Sequence, residues 1–112
     1  MCGIAGFFNH RNGMPAEPQD VERILQAMRY RGPDDLGVHR CGELAFGAVR
    51  LAILGLDVAG NQPVFNEDRT VAVVYNGEIY NYPELRRVLE ARGHRFASRA
   101  DTEVLVHLYE EH

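Results

Sequence analysis

Apolar residues recur at helical spacing near the start of the chain. Four of them fall at positions i, i+3, i+4 and i+7: Val21, Ile24, Leu25 and Met28. This spacing predicts an amphipathic helix from about Pro18 to Arg29. The sequence RGPDD at 31–35 must end it, because the residue before a proline disfavours helical backbone angles.

Two further helices are predicted in the second half of the chain. Three apolar residues share a face of the first: Leu85, Val88 and Leu89. This helix starts near Pro83, with Asn81 as N-cap and Glu84 completing a capping box, and Gly93 is a natural stop. The last helix begins near Asp101. Its apolar side is formed by Val104, Leu105 and Leu108.

Short strand-forming segments lie between turn-forming ones. They are 3–8, 37–40, 44–51, 70–75 and 94–97. Residues 70–75 read TVAVVY, apolar on both faces, which predicts a central strand, whereas 94–97 predicts a short edge strand. Residues 55–63 are expected to form a loop. The pattern predicts an α+β fold with mostly antiparallel pairing.

Composition narrows the class of protein. The chain has 112 residues, 46% of them hydrophobic, and a formal charge of −4. These values fit one small packed domain and argue against disorder. No basic block indicates nucleic acid, no apolar run is long enough for a membrane span, and the start lacks the features of a signal peptide. Two cysteines are too few for a disulfide framework, so we expect a cytoplasmic protein.

Cys2 is the first candidate for chemistry. Removal of Met1 would leave one residue with both a thiol nucleophile and a free α-amine. An α-amine titrates near pH ~8, so part of it is an unprotonated base at neutral pH. A nucleophile beside its own base is suited to acyl transfer. The simpler alternative is a chance cysteine in an unstructured terminus.

Three polar positions interrupt or end apolar segments. Arg50, within FGAVRLA, is either a surface arginine or a guanidinium that binds a carboxylate with its planar fork. The pair Asn76-Gly77 is either an ordinary tight turn or an oxyanion hole, formed by a side-chain amide and a backbone N–H. Asp101 either caps the last helix or binds a substrate ammonium.

The remaining candidates receive no chemical role. The five histidines show no metal-ligand spacing and are interpreted as surface or core residues; they are His10, His39, His94, His107 and His112. No metal site is therefore expected. Cys41 lies in a predicted turn.

Six sequence blocks together resemble a known family. They are MCGIAGFF at the start, RGPDDLG at 31–37, GAVRLAIL at 47–54, QPVFN at 62–66, NGEIYNY at 76–82 and ADTEVLVHLYEEH at 100–112. In this order they resemble the glutamine-hydrolysing domain of class II glutamine amidotransferases. The RGPD and NGEIYN blocks resemble those of asparagine synthetases. The resemblance implies an α+β, amino-terminal-nucleophile αββα sandwich with antiparallel sheets, incomplete at its carboxyl end.

The resemblance also implies a catalytic apparatus. Cys2 would attack the side-chain carboxamide of glutamine, and its α-amine would accept the thiol proton. Asn76 and Gly77 would stabilise the oxyanion, before water hydrolyses the thioester to glutamate. Arg31 is expected to have a structural role, ordering the loop near Cys2 through Asp34 or Asp35.

Substrate recognition follows from the same resemblance. Arg50 would bind the α-carboxylate of glutamine, and Asp101 with Glu78 its α-ammonium. Backbone groups of the residues that follow Arg50 would line the pocket: Leu51, Ala52, Ile53 and Leu54. A zwitterionic amide needs one cation, one anion and a hydrogen-bonding end, and these residues supply all three.

The resemblance covers only a partial glutaminase domain over residues 1–112, and the family's synthetase domain is absent. No cofactor is expected in this chain; ATP and Mg²⁺ belong to the synthetase domain, in cis or on a separate chain. There, ammonia converts activated aspartate to asparagine. Two alternatives stay open: a glutamine-binding or amidotransferase piece that serves another ammonia acceptor, and a non-catalytic interaction remnant. The sequence does not decide the acceptor, the activity of the isolated chain or its oligomeric state.

Overall fold

The computed structural model describes residues 2–52 and 60–112. Within these ranges the elements in chain order are β1 (Gly3–Phe8), α1 (Pro18–Ala27), β2 (Asp35–Cys41), β3 (Leu44–Arg50), β4 (Val64–Phe65), β5 (Ala72–Val73), α2 (Tyr82–Ala91) and α3 (Glu103–Glu111). Both sheets are antiparallel, so the predicted α+β class is confirmed. Residues 55–59 of the predicted loop lie outside the described ranges.

The first three strands form one sheet in the order β1-β3-β2. β3 is central, and its Val49 pairs with Gly3 on one side and with Leu36 on the other. The three strands predicted in this half of the chain are therefore present. Gly42, in the turn that joins β2 to β3, has a φ of 57°, a backbone conformation that glycine adopts without the usual steric cost.

Helix α1 covers one face of this sheet. Its Val21 and Leu25 are fully buried and pack against Ala45 and Val49 of the central strand. Burial of this apolar stripe is what orders the helix against the sheet. The four-layer αββα sandwich implied by the resemblance stays a prediction.

The second half of the chain is built around α3. This helix packs against β4, β5 and α2. The predicted central strand at 70–75 is wrong, because only Ala72–Val73 forms a strand and it pairs with β4 alone. A strand at Val64–Phe65 was not predicted.

The edge strand predicted at 94–97 is also wrong. Two of its backbone donors bind side chains instead of a neighbouring strand. The N–H of Arg95 donates to Glu67 (2.7 Å), and the N–H of Ala97 donates to Glu103 (2.7 Å). Carboxylates thus satisfy the groups that a sheet ladder would otherwise pair.

The two helices of this half begin close to their predicted positions. α2 starts at Tyr82, but Asn81 makes no side-chain cap hydrogen bond, so the predicted capping box with Glu84 is wrong. Gly93 follows the helix with a φ of 100°, as predicted for a stop. α3 starts at Glu103, so Asp101 lies before the helix and is available for other contacts.

Candidate functional site

The register of the first sheet brings Cys2 to Arg50. Gly3 pairs with Val49 across β1 and β3. Continuing this antiparallel register by one residue puts Cys2 opposite Arg50, at the end of the sheet where β3 stops. Asp35 of β2 pairs with Arg50 from the other side. The nucleophile candidate and the cation candidate are therefore neighbours because of strand pairing, although 48 positions separate them in sequence.

A small cavity opens at this end of the sheet. It is lined by Cys2, Arg50, Leu51, Gly60, Gln62, Tyr75, Gly77, Glu78, Ala100, Asp101 and Thr102. Its volume is about 30 Å³. Residues that carry one thiol, one guanidinium and two carboxylates thus border a single space.

Both the side chain and the backbone carbonyl of Cys2 make hydrogen bonds. Its Sγ lies 3.9 Å from the carbonyl oxygen of Leu51, a long sulfur hydrogen bond. Its own carbonyl oxygen accepts a 3.3 Å hydrogen bond from Nε of Arg31. Arg31 therefore orders the chain at Cys2, as predicted, and does so directly; in the part of the chain that the structure describes, the predicted contacts of Arg31 with Asp34 or Asp35 are not found.

The segment 32–34 packs closely along the end of β3. A Cβ on Gly32 would lie 2.6 Å from the backbone nitrogen of Arg50, so only glycine fits there. The N–H of Asp34 donates to the carbonyl oxygen of Arg50 (3.0 Å), and its Oδ2 accepts from the N–H of Ala52 (2.8 Å). The RGPDD sequence thus fixes the backbone at Arg50 and at Ala52.

Arg50 is a buried cation, with a relative exposure of 5%. Its Nη1 donates a 2.5 Å hydrogen bond to Oδ1 of Asn61. Burial of a guanidinium is costly unless its donors are satisfied. The surface arginine considered from the sequence is excluded, and Arg50 is one of the residues that line the cavity.

Gln62 holds the segment that leads from β5 to Asn76-Gly77. Its Nε2 donates to the carbonyl oxygen of Tyr75 (2.9 Å), and its Oε1 accepts from the N–H of Tyr75 (2.6 Å). This side chain replaces a neighbouring strand at that point. Gly77 packs against the Tyr75 ring so tightly that a Cβ would overlap it. Gly77 lines the cavity, whereas Asn76 is exposed and does not.

Asp101 has a structural contact as well as a place at the cavity. Its Oδ2 accepts a 2.7 Å hydrogen bond from the N–H of Ile79, and the residue is 7% exposed. It therefore joins the start of α3 to the loop that carries Glu78. Glu78 is exposed at the cavity rim. These carboxylates stand where a cationic group of a ligand would be stabilised.

Some predicted site residues meet and others do not. Six line the cavity together: Cys2, Arg50, Leu51, Gly77, Glu78 and Asp101. Ala52 contacts the Asp34 carboxylate instead of the cavity. Asn76 is outside it, and Ile53 and Leu54 lie outside the described residues.

Sequence reasoning missed two polar residues of the site. Asn61 accepts a hydrogen bond from the Arg50 guanidinium. Gln62, with 6% exposure, holds Tyr75 in the segment after β5. The QPVFN block gave a signal for Gln62 as part of a family pattern, but not for its hydrogen bonds. No local signal distinguishes Asn61 from a loop asparagine.

Comparison with known proteins assigns the family. The family model described as a glutamine amidotransferase domain matches residues 1–112. The chain therefore belongs to the glutamine amidotransferase domain family. Within the described residues, no helix is long and apolar enough to cross a membrane.

Relatives come from plants and bacteria. The chain is 40% identical over 112 residues to glutamine-hydrolysing asparagine synthetase 1 of Arabidopsis thaliana, covering all of this chain and 19% of that protein. It is 40% identical over 114 residues to glutamine-hydrolysing asparagine synthetase 3 of Bacillus subtilis, covering 99% of this chain and 18% of that protein. The glutamine-hydrolysing asparagine synthetase of Sandersonia aurantiaca is 41% identical over 112 residues, covering all of this chain and 21% of that protein. The chain thus spans about a fifth of the length of these relatives.

Proposed function

We propose that this chain is the glutamine-hydrolysing part of an asparagine synthetase and that Cys2 is its nucleophile. The observation that carries the proposal is the shared cavity. It is lined by Cys2, the buried Arg50, Gly77, Glu78 and Asp101, which carry a thiol, a guanidinium, a backbone N–H and two carboxylates. These are the groups that a zwitterionic amide substrate requires.

The reaction begins once Met1 has been removed. The Cys2 sulfur attacks the side-chain carbonyl carbon of glutamine, and the α-amine takes the thiol proton. The oxyanion accepts hydrogen bonds from the N–H of Gly77 and the amide of Asn76, each worth roughly 3–4 kcal/mol of barrier. Ammonia leaves with the proton, and water then cleaves the thioester to glutamate and free thiol.

Substrate binding requires the cavity to enlarge, since its volume is only about 30 Å³, whereas small-molecule sites measure roughly 300–1,000 Å³. Arg50 supplies the cation for this step. A substrate carboxylate would form charge-assisted, bidentate hydrogen bonds with its guanidinium. For hydrolysis, the exposed Asn76 side chain would have to turn toward the reacting carbonyl so that its amide can donate to the oxyanion.

Glu78 and Asp101 complete the recognition of the amino-acid end. Asp101 uses Oδ2 to hold Ile79, which leaves Oδ1 for the substrate ammonium. Glu78 provides a second carboxylate from the rim. Backbone groups from Leu51 onward, including Ala52, Ile53 and Leu54, would line the remaining wall.

The ammonia would pass to a synthetase domain, in cis or on a separate chain, that uses ATP and Mg²⁺ to convert aspartate to asparagine. Support comes from the plant and bacterial relatives, whose names specify glutamine-hydrolysing asparagine synthetases. In this view residues 1–112 are part of an αββα glutaminase domain that acts in the cytoplasm. Another ammonia acceptor is the alternative for the same chemistry.

Glutamine binding without turnover is the second candidate function. The position of Asn76 outside the cavity favours it, because an oxyanion donor must point at the reacting carbonyl. The two candidates differ in one readout. Hydrolysis releases glutamate, whereas binding alone does not.

A glutamate-release assay tests the proposal. The purified chain, Cys2→Ala and the control Cys41→Ala are incubated with glutamine, and intact mass reports the state of Met1. We expect release by the parent and by Cys41→Ala, Met1 removed, and no release above background by Cys2→Ala. Equal release by Cys2→Ala, or release with Met1 fully retained, overturns the proposed mechanism.

A further inference from the structure

Four side chains from three segments converge beside α3: Glu67, His94, His107 and Glu110. We propose that this His–Glu cluster binds a divalent transition-metal ion, with Zn²⁺ as the best fit. One nitrogen or oxygen from each residue lies within 4.8 Å of the others. None of the four lines the Cys2 cavity, so the proposed site is separate from the glutamine site.

The distances between donor atoms are those of a tetrahedral site. Nδ1 of His107 lies 3.3 Å from Oε2 of Glu110 and 3.5 Å from Oε2 of Glu67. Nδ1 of His94 lies 3.4 Å from the same Glu110 oxygen. Zinc bonds of ~2.0–2.1 Å in a tetrahedron separate the ligand atoms by about 3.3 Å. The other donor atoms lie within 4.8 Å of one another, so metal binding would draw the four side chains slightly closer together.

The second polar atom of three of the four side chains is already held. Oε1 of Glu67 accepts from the N–H of Arg95 (2.7 Å), and Oε1 of Glu110 accepts from Nδ2 of Asn66 (2.8 Å). Nε2 of His94 lies 2.8 Å from Oε1 of Glu111. These contacts leave Oε2 of each glutamate and Nδ1 of His94 directed at the cluster. An imidazole held between a carboxylate and the metal is a recurrent arrangement in zinc proteins.

The buried histidine fits the same assignment. His107 is fully buried, and within the described residues its Nε2 has no hydrogen-bond partner. That nitrogen is 3.8 Å from Oε1 of Glu103. Metal on Nδ1 fixes the tautomer with a proton on Nε2, so a positive N–H, and not a lone pair, faces the Glu103 carboxylate.

Donor chemistry selects the ion. Two imidazole nitrogens and two carboxylate oxygens suit zinc better than Mg²⁺ or Ca²⁺, which prefer oxygen alone. The two negative charges of Glu67 and Glu110 balance a divalent ion. Four protein ligands make a closed, structural site that would tie the β4–β5 connection to α3.

The competing arrangement contains no metal. The imidazole nitrogens would instead hydrogen-bond directly to the surrounding glutamates. This arrangement predicts no stoichiometric metal binding. It also predicts that conservative substitutions in the cluster leave the response to Zn²⁺ unchanged.

Competition titration against a chromogenic chelator measures Zn²⁺ binding, and Co²⁺ absorption reports four-coordinate geometry. We expect one ion per chain. Glu67→Gln and His94→Gln should each lower the affinity about tenfold or more, as even outer-shell changes at metal sites cost ~10–100-fold. The exposed His10 provides the control, and His10→Gln should bind like the parent. His107 is left intact because its burial makes substitution a test of folding.

Two further measurements keep the outcome decisive. Alkylation of the thiols Cys2 and Cys41 should leave the affinity unchanged, and Zn²⁺ should raise the unfolding temperature of the parent more than that of Glu67→Gln. No binding by the parent, an affinity equal to the parent's in both cluster variants, or binding lost on alkylation overturns the proposal. Each readout is independent of glutamine hydrolysis.

Discussion

Asp101 and Ile79 join the two halves of the candidate glutamine pocket. Oδ2 of Asp101, just before α3, accepts a 2.7 Å hydrogen bond from the backbone N–H of Ile79. The loop that carries Gly77 and Glu78 is thus held by the same carboxylate that we propose as a substrate ligand. The two roles can be separated by experiment.

Asp101→Asn and Asp101→Ala differ in which role they remove. The asparagine keeps an oxygen acceptor for Ile79 but loses the charge, so unfolding in urea should change little while glutamine affinity falls. The alanine leaves the N–H unpaired, which should lower the free energy of unfolding by about 1–3 kcal/mol. Calorimetry in a Cys2→Ala background measures the affinity without turnover. An unchanged affinity in Asp101→Asn would remove Asp101 from the proposed ammonium site.

Arg50→Lys tests the carboxylate clamp. Lysine keeps the charge but lacks the planar fork, so bidentate binding is lost. We expect the dissociation constant for glutamine to rise roughly 10–100-fold, the equivalent of about 1.5–3 kcal/mol for hydrogen bonds to a charged group. The control is Arg23→Lys, whose side chain is 84% exposed, and it should bind normally. A similar loss in both variants would argue against a specific clamp.

Gly32→Ala tests the close packing behind Arg50. The added Cβ would lie 2.6 Å from backbone atoms of Val49 and Arg50, which cannot move without displacing the strand. We expect a loss of about 1–3 kcal/mol or more in urea unfolding. Gly6 in β1 is the matched control, because a Cβ there meets its nearest atom at 3.5 Å. Equal stability of the two variants would show that the end of β3 is more adaptable than its packing indicates.

Gln62→Ala tests how the segment between β5 and Asn76-Gly77 is held. Loss of the side-chain amide leaves the half-buried N–H and carbonyl groups of Tyr75 without the partners they now have. Unsatisfied groups of this kind cost about 1–3 kcal/mol each, so the unfolding midpoint should fall. The exposed Gln19 gives the control substitution to alanine. If Gln62→Ala is no less stable than Gln19→Ala, the amide is not what holds this segment.

Local pattern was sufficient for elements that bury one face. The apolar stripe containing Val21 and Leu25 identified α1, and the strands around it were recognised from their residue types. Local pattern was insufficient to predict the structure of residues 70–75 and 94–97. There the outcome depends on distant partners, such as the Glu67 and Glu103 carboxylates that take the backbone donors of 94–97.

The sequence likewise identified some residues of the candidate site and not others. Residue types and the family resemblance named Cys2, Arg50 and Asp101, which the structure brings to one cavity. Asn61 could not be found, because its importance lies in one contact with Arg50. The His–Glu cluster could not be found either, since its members come from three separate segments and have no ligand spacing along the chain.

Protection of Cys2 by glutamine tests the central claim most directly. A thiol alkylating reagent is applied with and without L-glutamine, and peptide mass spectrometry follows Cys2 and the exposed Cys41 in the same molecule. The account predicts that L-glutamine slows alkylation of Cys2, that D-glutamine does not, and that Cys41 reacts equally in all three conditions. Alkylation of Cys2 at the same rate with and without L-glutamine would contradict it.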